Sequence, residues 1–139
     1  MRTVFADTLY WAAILNPRDP WHKASVQARR RLGEAVLVTC DEVLVEFLTI
    51  LAAHGAEMRR AAADMVRGMQ FQSNVQVRQQ SRYTFLQGLR LYQNRLDKKY
   101  SLTDCISMWE MRNSRITEVL TNDHHFIQEG FTILIPEQV

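Results

Sequence analysis

The sequence has few cysteines and no long apolar run, and each of these absences argues against a class of protein. Only two of its 139 residues are cysteine, and Cys40 and Cys105 lie far apart, outside any C-x-x-C pair. A secreted domain held by disulfides is therefore not indicated, and reduced thiols in a cytoplasmic protein are expected. No uninterrupted apolar stretch approaches the ~20 residues that span a bilayer. Asp7 interrupts the place where the apolar region of a signal peptide would lie. We expect a soluble cytoplasmic protein with no membrane partner.

Several motifs of well-known enzyme classes are also missing. The sequence contains no glycine-rich phosphate-binding loop and no G-x-S-x-G nucleophile motif. It shows no internal repeat, low-complexity tract or obvious linker. With 47% apolar and 23% charged residues, the composition is ordinary for a globular protein, and the length fits one domain with a real core. A net charge of +2 does not dictate a partner.

Short apolar runs alternate with segments of helical periodicity. The predicted strands are Val4–Ala6, Ala35–Thr39, Val75–Val77, Ile116–Leu120 and Phe131–Ile135. The predicted helices are Leu9–Leu15, His22–Leu32, Asp41–His54, Glu57–Gly68, Ser81–Leu96, a segment from the neighbourhood of Asp104 to Asn113, and a single turn at His125–Gln128. This alternation predicts an α/β fold in which helices flank a parallel sheet of about four to five strands.

Four acidic residues stand near the ends of apolar strands or in the first two turns of apolar helices: Asp7, Glu46, Asp104 and Asp123. Because ligands of open parallel sheets bind beyond the carboxyl ends of the strands, these side chains can converge on one edge. Clustered carboxylates repel one another, and burial adds to the penalty. A hard divalent cation removes it, and Mg²⁺ or Mn²⁺ suits carboxylate and water ligands.

Each acid also has a purely structural explanation. Asp7 is a favoured residue type for the N-cap of the following helix, and Asp104 completes a capping box with Ser101. Glu46 lies on the least apolar face of its helix, and Asp123 is in a segment typical of turns. A second capping box is predicted at Thr39–Glu42. Taken singly, none of the four acids identifies a site, but their combined placement favours one.

Four segments carry a resemblance to a known family. They are Phe5–Trp11, Val43–Phe47, Tyr100–Met108, and Leu120–Phe126 together with Gly130 and Phe131. In this order and on these elements, they resemble the PIN-domain proteins, and most of all the VapC-type ribonuclease toxins. The likeness runs nearly from end to end.

The resemblance implies a single PIN-like nuclease domain over residues 1–139 and a Mg²⁺- or Mn²⁺-dependent endoribonuclease activity. Asp7, Glu46, Asp104 and Asp123 would form its catalytic metal site, and hydrolysis would proceed by in-line attack of water on an RNA phosphodiester. Thr8, Thr121 and Asn122 fall beside the acids, where similar proteins carry groups that steady a ligand or water. The family further implies a toxin held by an antitoxin protein, and a homodimer. Asp97 falls where relatives carry an acid, but no ligand role is assigned to it.

Other interpretations stay open at this stage. The same scaffold could bind RNA or protein without cutting it, or the site could hydrolyse a small phosphorylated molecule. The basic side chains could contact phosphates or simply be solvated. Tyr10, Trp11 and Trp21 could stack on bases or pack in the core. His124 and His125 suggest zinc with a cysteine, but no pair has the spacing of zinc ligands.

Overall fold

A five-stranded parallel sheet forms the centre of the protein. The structure is a computed structural model that describes residues 1–139. The strands are β1 (Arg2–Ala6), β2 (Ala35–Cys40), β3 (Val75–Arg78), β4 (Glu118–Leu120) and β5 (Thr132–Ile133). Their order across the sheet is β3-β2-β1-β4-β5, and every neighbouring pair is parallel. The predicted α/β class with a parallel sheet is therefore confirmed.

Seven helices flank this sheet. They are α1 (Thr8–Leu15), α2 (His22–Leu32), α3 (Asp41–Ala52), α4 (Ala56–Met69), α5 (Arg82–Asn94), α6 (Leu102–Asn113) and α7 (His125–Gln128). All seven were predicted, with boundaries that differ by a few residues. None of them combines the length and the apolar character needed to cross a bilayer.

The last two strands are shorter than predicted. β4 begins at Glu118, two residues later than the apolar pattern indicates, because the backbone amide of Ile116 still bonds to the carbonyl of Met111 and completes the end of α6. The short connection requires a left-handed residue, Arg115, with φ 57°. Beyond β5 the chain stays close to β4, since the amide of Leu134 donates to the carbonyl of Val119.

The predicted capping box at Thr39–Glu42 is wrong. Cys40 is the N-cap of α3, and no side chain caps that end. The hydroxyl of Thr39 points into the core, where it donates to the carbonyl of Ala6 at 3.0 Å. The indole nitrogen of Trp11 bonds to the same carbonyl at 3.2 Å. Trp11 therefore packs in the core and fixes the end of β1.

The order in which strands are added to the sheet reverses direction at β1. The chain passes from β1 outward to β2 and β3 on one side, and later fills the other side with β4 and β5. The carboxyl ends of β1 and β4 therefore flank a topological switch point, where parallel α/β sheets form their binding crevice. Val4, Phe5 and Ala6 are completely buried, so the end of β1 is held firmly in this position.

Helices α5 and α6 pack closely because a glycine lies at their contact. A β-carbon on Gly88 would overlap the side chain of Ile106 and lie 3.2 Å from its Cα. Gly88 is therefore needed at this position because it has no side chain. The close packing of α5 and α6 that it allows positions α6 against the sheet. Gly68, inside α4, has open space around the corresponding position.

We expect Gly88→Ala to lower the free energy of unfolding by about 1–3 kcal/mol, because the helices must separate to admit the methyl group. Gly68→Ala is the matched control and should raise stability by about 0.5–1 kcal/mol through helix propensity. Urea denaturation of both variants tests the packing. An equal increase in the free energy of unfolding of the two variants would contradict the close packing of α5 and α6 at Gly88.

Candidate metal centre

Asp7 is the most deeply buried of the four acids. It follows β1 directly and begins α1, and only 7% of its surface is exposed. Although it occupies the N-cap position, its side chain makes no capping hydrogen bond. The hydroxyl of Thr121 instead donates to Asp7 Oδ2 at 3.0 Å. The capping explanation therefore does not account for the direction of this carboxylate.

Glu46 is joined to the same region by Thr8. It is in the second turn of α3, half-buried, and its Oε1 accepts a hydrogen bond of 2.7 Å from the hydroxyl of Thr8. The predicted solvated face is thus incorrect for Glu46 itself, because α1 lies next to α3 and covers it. Thr8 and Thr121 both orient a carboxylate, from two different elements.

Asp104 caps α6 and also faces the other acids. The backbone amide of Asp104 donates to Ser101 Oγ at 3.0 Å, and the amide of Ser101 donates to Asp104 Oδ2 at 3.3 Å. The predicted capping box is therefore present. The same Oδ2 lies 3.4 Å from the Nδ1 atom of His125. Capping and membership of the cluster are compatible for one carboxylate.

Asp123 follows β4 and is fixed by two backbone interactions. Its own amide donates to Thr121 Oγ1 at 3.1 Å, and the amide of His125 donates to Asp123 Oδ1 at 2.9 Å. The turn predicted for this segment therefore exists, and it aims the carboxylate. Thr121 contacts both Asp7 and Asp123 and so links the ends of β1 and β4.

His125 belongs to the cluster, although the sequence pattern did not assign it there. Its Nδ1 lies 3.3 Å from Asp123 Oδ1, and one ligand atom each of Asp104, Asp123 and His125 lie within 4.8 Å of one another. From the sequence, His125 is considered only as a zinc ligand together with a cysteine, although it lies two residues after Asp123. Asn122 contacts a different part of the chain, since its amide donates to the carbonyl of Ile135 at 2.6 Å.

The four carboxylates interact electrostatically. Burial raises the pKa of Asp7 to about 7, and the negative charges of Asp104 and Glu46 add to this rise, while the Thr8 amide and Thr121 hydroxyl oppose it. Burial also raises the pKa of Asp104, with Asp123 and Glu46 as the neighbouring charges. The neighbouring carboxylates therefore add to the effect of burial in disfavouring the ionised forms of Asp7 and Asp104.

The raised pKa of Asp7 predicts a pH-dependent stability of the metal-free protein. The folded state holds the Asp7 proton more tightly than the unfolded chain, whose pKa is near 3.8. The resulting stabilisation is complete below pH ~4 and is lost as the pH rises through about 7. Asp7→Asn should remove this loss and stabilise the protein at pH 8 by about 1–3 kcal/mol.

Denaturation in EDTA at pH 5 and pH 8 measures this difference. Asp64→Asn, which removes an exposed acid from α4, is the control and should change the pH dependence little. The difference in unfolding free energy between wild type and Asp7→Asn should change between pH 5 and pH 8. An equal difference at the two pH values would show that the Asp7 carboxyl titrates normally.

Comparison with known proteins identifies a solved structure with a similar fold. No protein-family model matches the sequence, and no curated protein matches it. Among solved structures, the chain is similar to VapC20 of Mycobacterium tuberculosis, a toxin that cleaves the sarcin-ricin loop. The two share 25% sequence identity with a TM-score of 0.82, over 93% of this chain and 96% of that one. The resemblance seen in the four sequence segments is thereby confirmed, since the chain is similar over almost its whole length to a PIN-domain VapC toxin and shares its fold.

Proposed function

We propose that this protein is a Mg²⁺- or Mn²⁺-dependent endoribonuclease that hydrolyses RNA phosphodiester bonds. The observation that carries this proposal is the group of acidic side chains at the switch point of the sheet. Ligand atoms of Asp104, Asp123 and His125 lie within 4.8 Å of one another. Asp7 and Glu46 are charged neighbours of Asp104, and burial raises the pKa of Asp7 and Asp104. A protein gains nothing in stability from such a cluster. Its electrostatic cost is understandable if the acids serve to bind a cation.

The donor atoms fit a hard divalent cation. Asp7, Glu46, Asp104 and Asp123 offer carboxylate oxygens, the ligands that Mg²⁺ and Mn²⁺ prefer. His125 adds one imidazole nitrogen beside two of them. When bound, such an ion supplies a Lewis acid that polarises the phosphate and lowers the pKa of a coordinated water.

The chain's own residues would then divide the work. Asp7, Asp104 and Asp123 hold the cation, and Glu46 binds it or orients the attacking water. Thr8 and Thr121 restrict the rotation of Glu46 and Asp7 through their hydrogen bonds, so that the ligands are pre-positioned. Asn122 supports the site indirectly, by tying the segment after β4 to the C-terminal end of the chain.

The biological setting that we propose is a toxin–antitoxin pair. The structural neighbour VapC20 is a toxin that cleaves the sarcin-ricin loop, and this similarity supports RNA as the substrate class. An antitoxin protein as partner, a homodimer, a cytoplasmic location and a single nuclease domain over residues 1–139 are parts of the same proposal.

We expect purified protein to cleave RNA in Mg²⁺ or Mn²⁺ and to lose this activity in EDTA. Asp104→Asn keeps an oxygen for the capping box but removes a ligand charge, so cleavage should fall by about 100-fold or more. The substrates are a mixed RNA pool and an oligonucleotide with the sarcin-ricin loop, and gel electrophoresis detects the products.

Asp97→Asn is the matched control. Asp97 is an acid only seven positions away, but its side chain is 76% exposed and pairs with Lys98 at 3.5 Å, outside the cluster. Its loss should leave cleavage within about twofold of wild type. Equal activity of Asp104→Asn and wild type would refute the nuclease site. Folded protein that binds RNA but cuts neither substrate in either metal would favour a catalytically silent binding module.

A further inference from the structure

A groove runs along the C-terminal end of α5 toward the acidic cluster. It consists of two adjoining cavities, of about 290 and 410 Å³, which share Tyr92 and Tyr100. Lys98 and Lys99 line the first cavity, and Ser101 lines the second. We call this surface the α5 groove.

Two residues that line the α5 groove contact residues of the candidate metal centre. The ring of Tyr100 lies 5.2 Å from the ring of His125, which contacts Asp104 and Asp123. Ser101, the next residue, caps the helix that carries Asp104. A molecule in the groove would therefore lie next to the acidic cluster, with Tyr100 between them.

The wall between the groove and the acids is rigid. The hydroxyl of Tyr100 donates to Glu129 at 2.9 Å, and Arg95 and Arg112 bind the same carboxylate at 2.9 Å. Burial alone would raise the pKa of Glu129, but its hydrogen bonds with Arg95, Arg112 and Tyr100 lower it to about 2. Glu129 therefore stays ionised at neutral pH and holds Tyr100 in place.

Two lysines give this groove a positive charge that the acidic cluster lacks. Lys98 is partly compensated by Asp97, while Lys99 is exposed and forms no ion pair. Arg95, in contrast, is engaged by Glu129. These are the only lysines of the chain apart from Lys23 on α2. A polyanion that approaches four carboxylates is repelled, and nearby cations offset that repulsion.

An unpartnered aromatic ring lies beside the two lysines. Tyr92 is 50% exposed and lines both cavities, and its neighbour Leu96 is 89% exposed. An exposed aromatic ring next to cationic side chains is the combination that binds single-stranded nucleic acid, because bases stack on the ring while the cations contact the phosphates.

We infer that the α5 groove is a subsite for the RNA strand next to the bond that is cleaved. Tyr92 stacks on a base, and Lys98 and Lys99 bind the phosphates that flank it. This inference rests on the proposed nuclease function, whose substrate it positions. The aromatic contact tolerates any base, so the groove contributes affinity and alignment more than sequence preference.

Binding without cleavage tests the groove independently of catalysis. Fluorescence anisotropy measures the affinity of a labelled single-stranded RNA for protein that carries Asp104→Asn, in EDTA and at several salt concentrations. Adding Lys98→Gln and Lys99→Gln should weaken binding by about tenfold at low salt. It should also reduce the slope of log K against log salt by about 1.4, since each of the two phosphate contacts contributes about 0.7.

Two further variants separate charge from stacking. Lys23→Gln with Arg31→Gln removes the same charge from exposed positions on α2, which line neither cavity, and should change affinity less than twofold. Tyr92→Leu keeps an apolar side chain but removes the ring, so affinity should fall about fivefold or more with an unchanged salt slope.

The outcomes distinguish the two proposals. Weaker RNA binding by the groove variants supports the subsite, whether or not the wild-type protein cuts RNA. Absence of cleavage by the wild-type protein would refute only the proposed nuclease activity. If the groove variants bind RNA as tightly as the α2 control variant does, the subsite proposal is wrong, even if the enzyme is active. A parent protein that binds no RNA would also overturn it, as would groove variants that lose a protein partner but keep RNA affinity.

Discussion

Electrostatic repulsion among four neighbouring carboxylates is the constraint to which the structure around the site is adapted. Burial first, and then the charges of neighbouring carboxylates, raise the pKa of Asp7 and Asp104, so that proton binding relieves part of the charge when no cation is present. The surrounding hydroxyls of Thr8 and Thr121 stabilise the carboxylates but are too few to neutralise them. A bound cation would offset this charge, and in the function we propose the same cation would polarise the phosphate.

The sheet order explains how acids distant in sequence can meet. Asp7 and Asp123 are separated by most of the chain, but β1 and β4 are neighbours, and both strands end at the same edge. Thr121 joins these two strand ends through side-chain hydrogen bonds. The close contact of α5 and α6 at Gly88 and Ile106 lies in the first half of α6, near the N-terminus that carries Asp104.

Structural and functional explanations of the same residue proved compatible at Asp104 and Asp123. The capping box of Asp104 and the turn at Asp123 both exist, and each one aims its carboxylate at the cluster. At Asp7 and Glu46 the simpler explanations fail, because Asp7 makes no capping bond and Glu46 is covered by α1. A local sequence motif therefore predicts the capping or turn hydrogen bonds of a side chain. The residues that contact the side chain in the folded protein determine its other interactions.

The sequence by itself determined the class of fold, the succession of elements and the four acids at their ends, because hydrophobic periodicity and strand-end positions are local properties of the chain. The tertiary structure decided the rest. Whether Thr39 caps a helix or bonds to Ala6 depends on the neighbouring strand, and His125 joins the acids only because α7 begins beside α6. The α5 groove likewise exists only where Tyr92 and Tyr100, from two segments of the chain, come together. Such contacts between distant residues leave no periodic signal in the sequence, since they arise from packing.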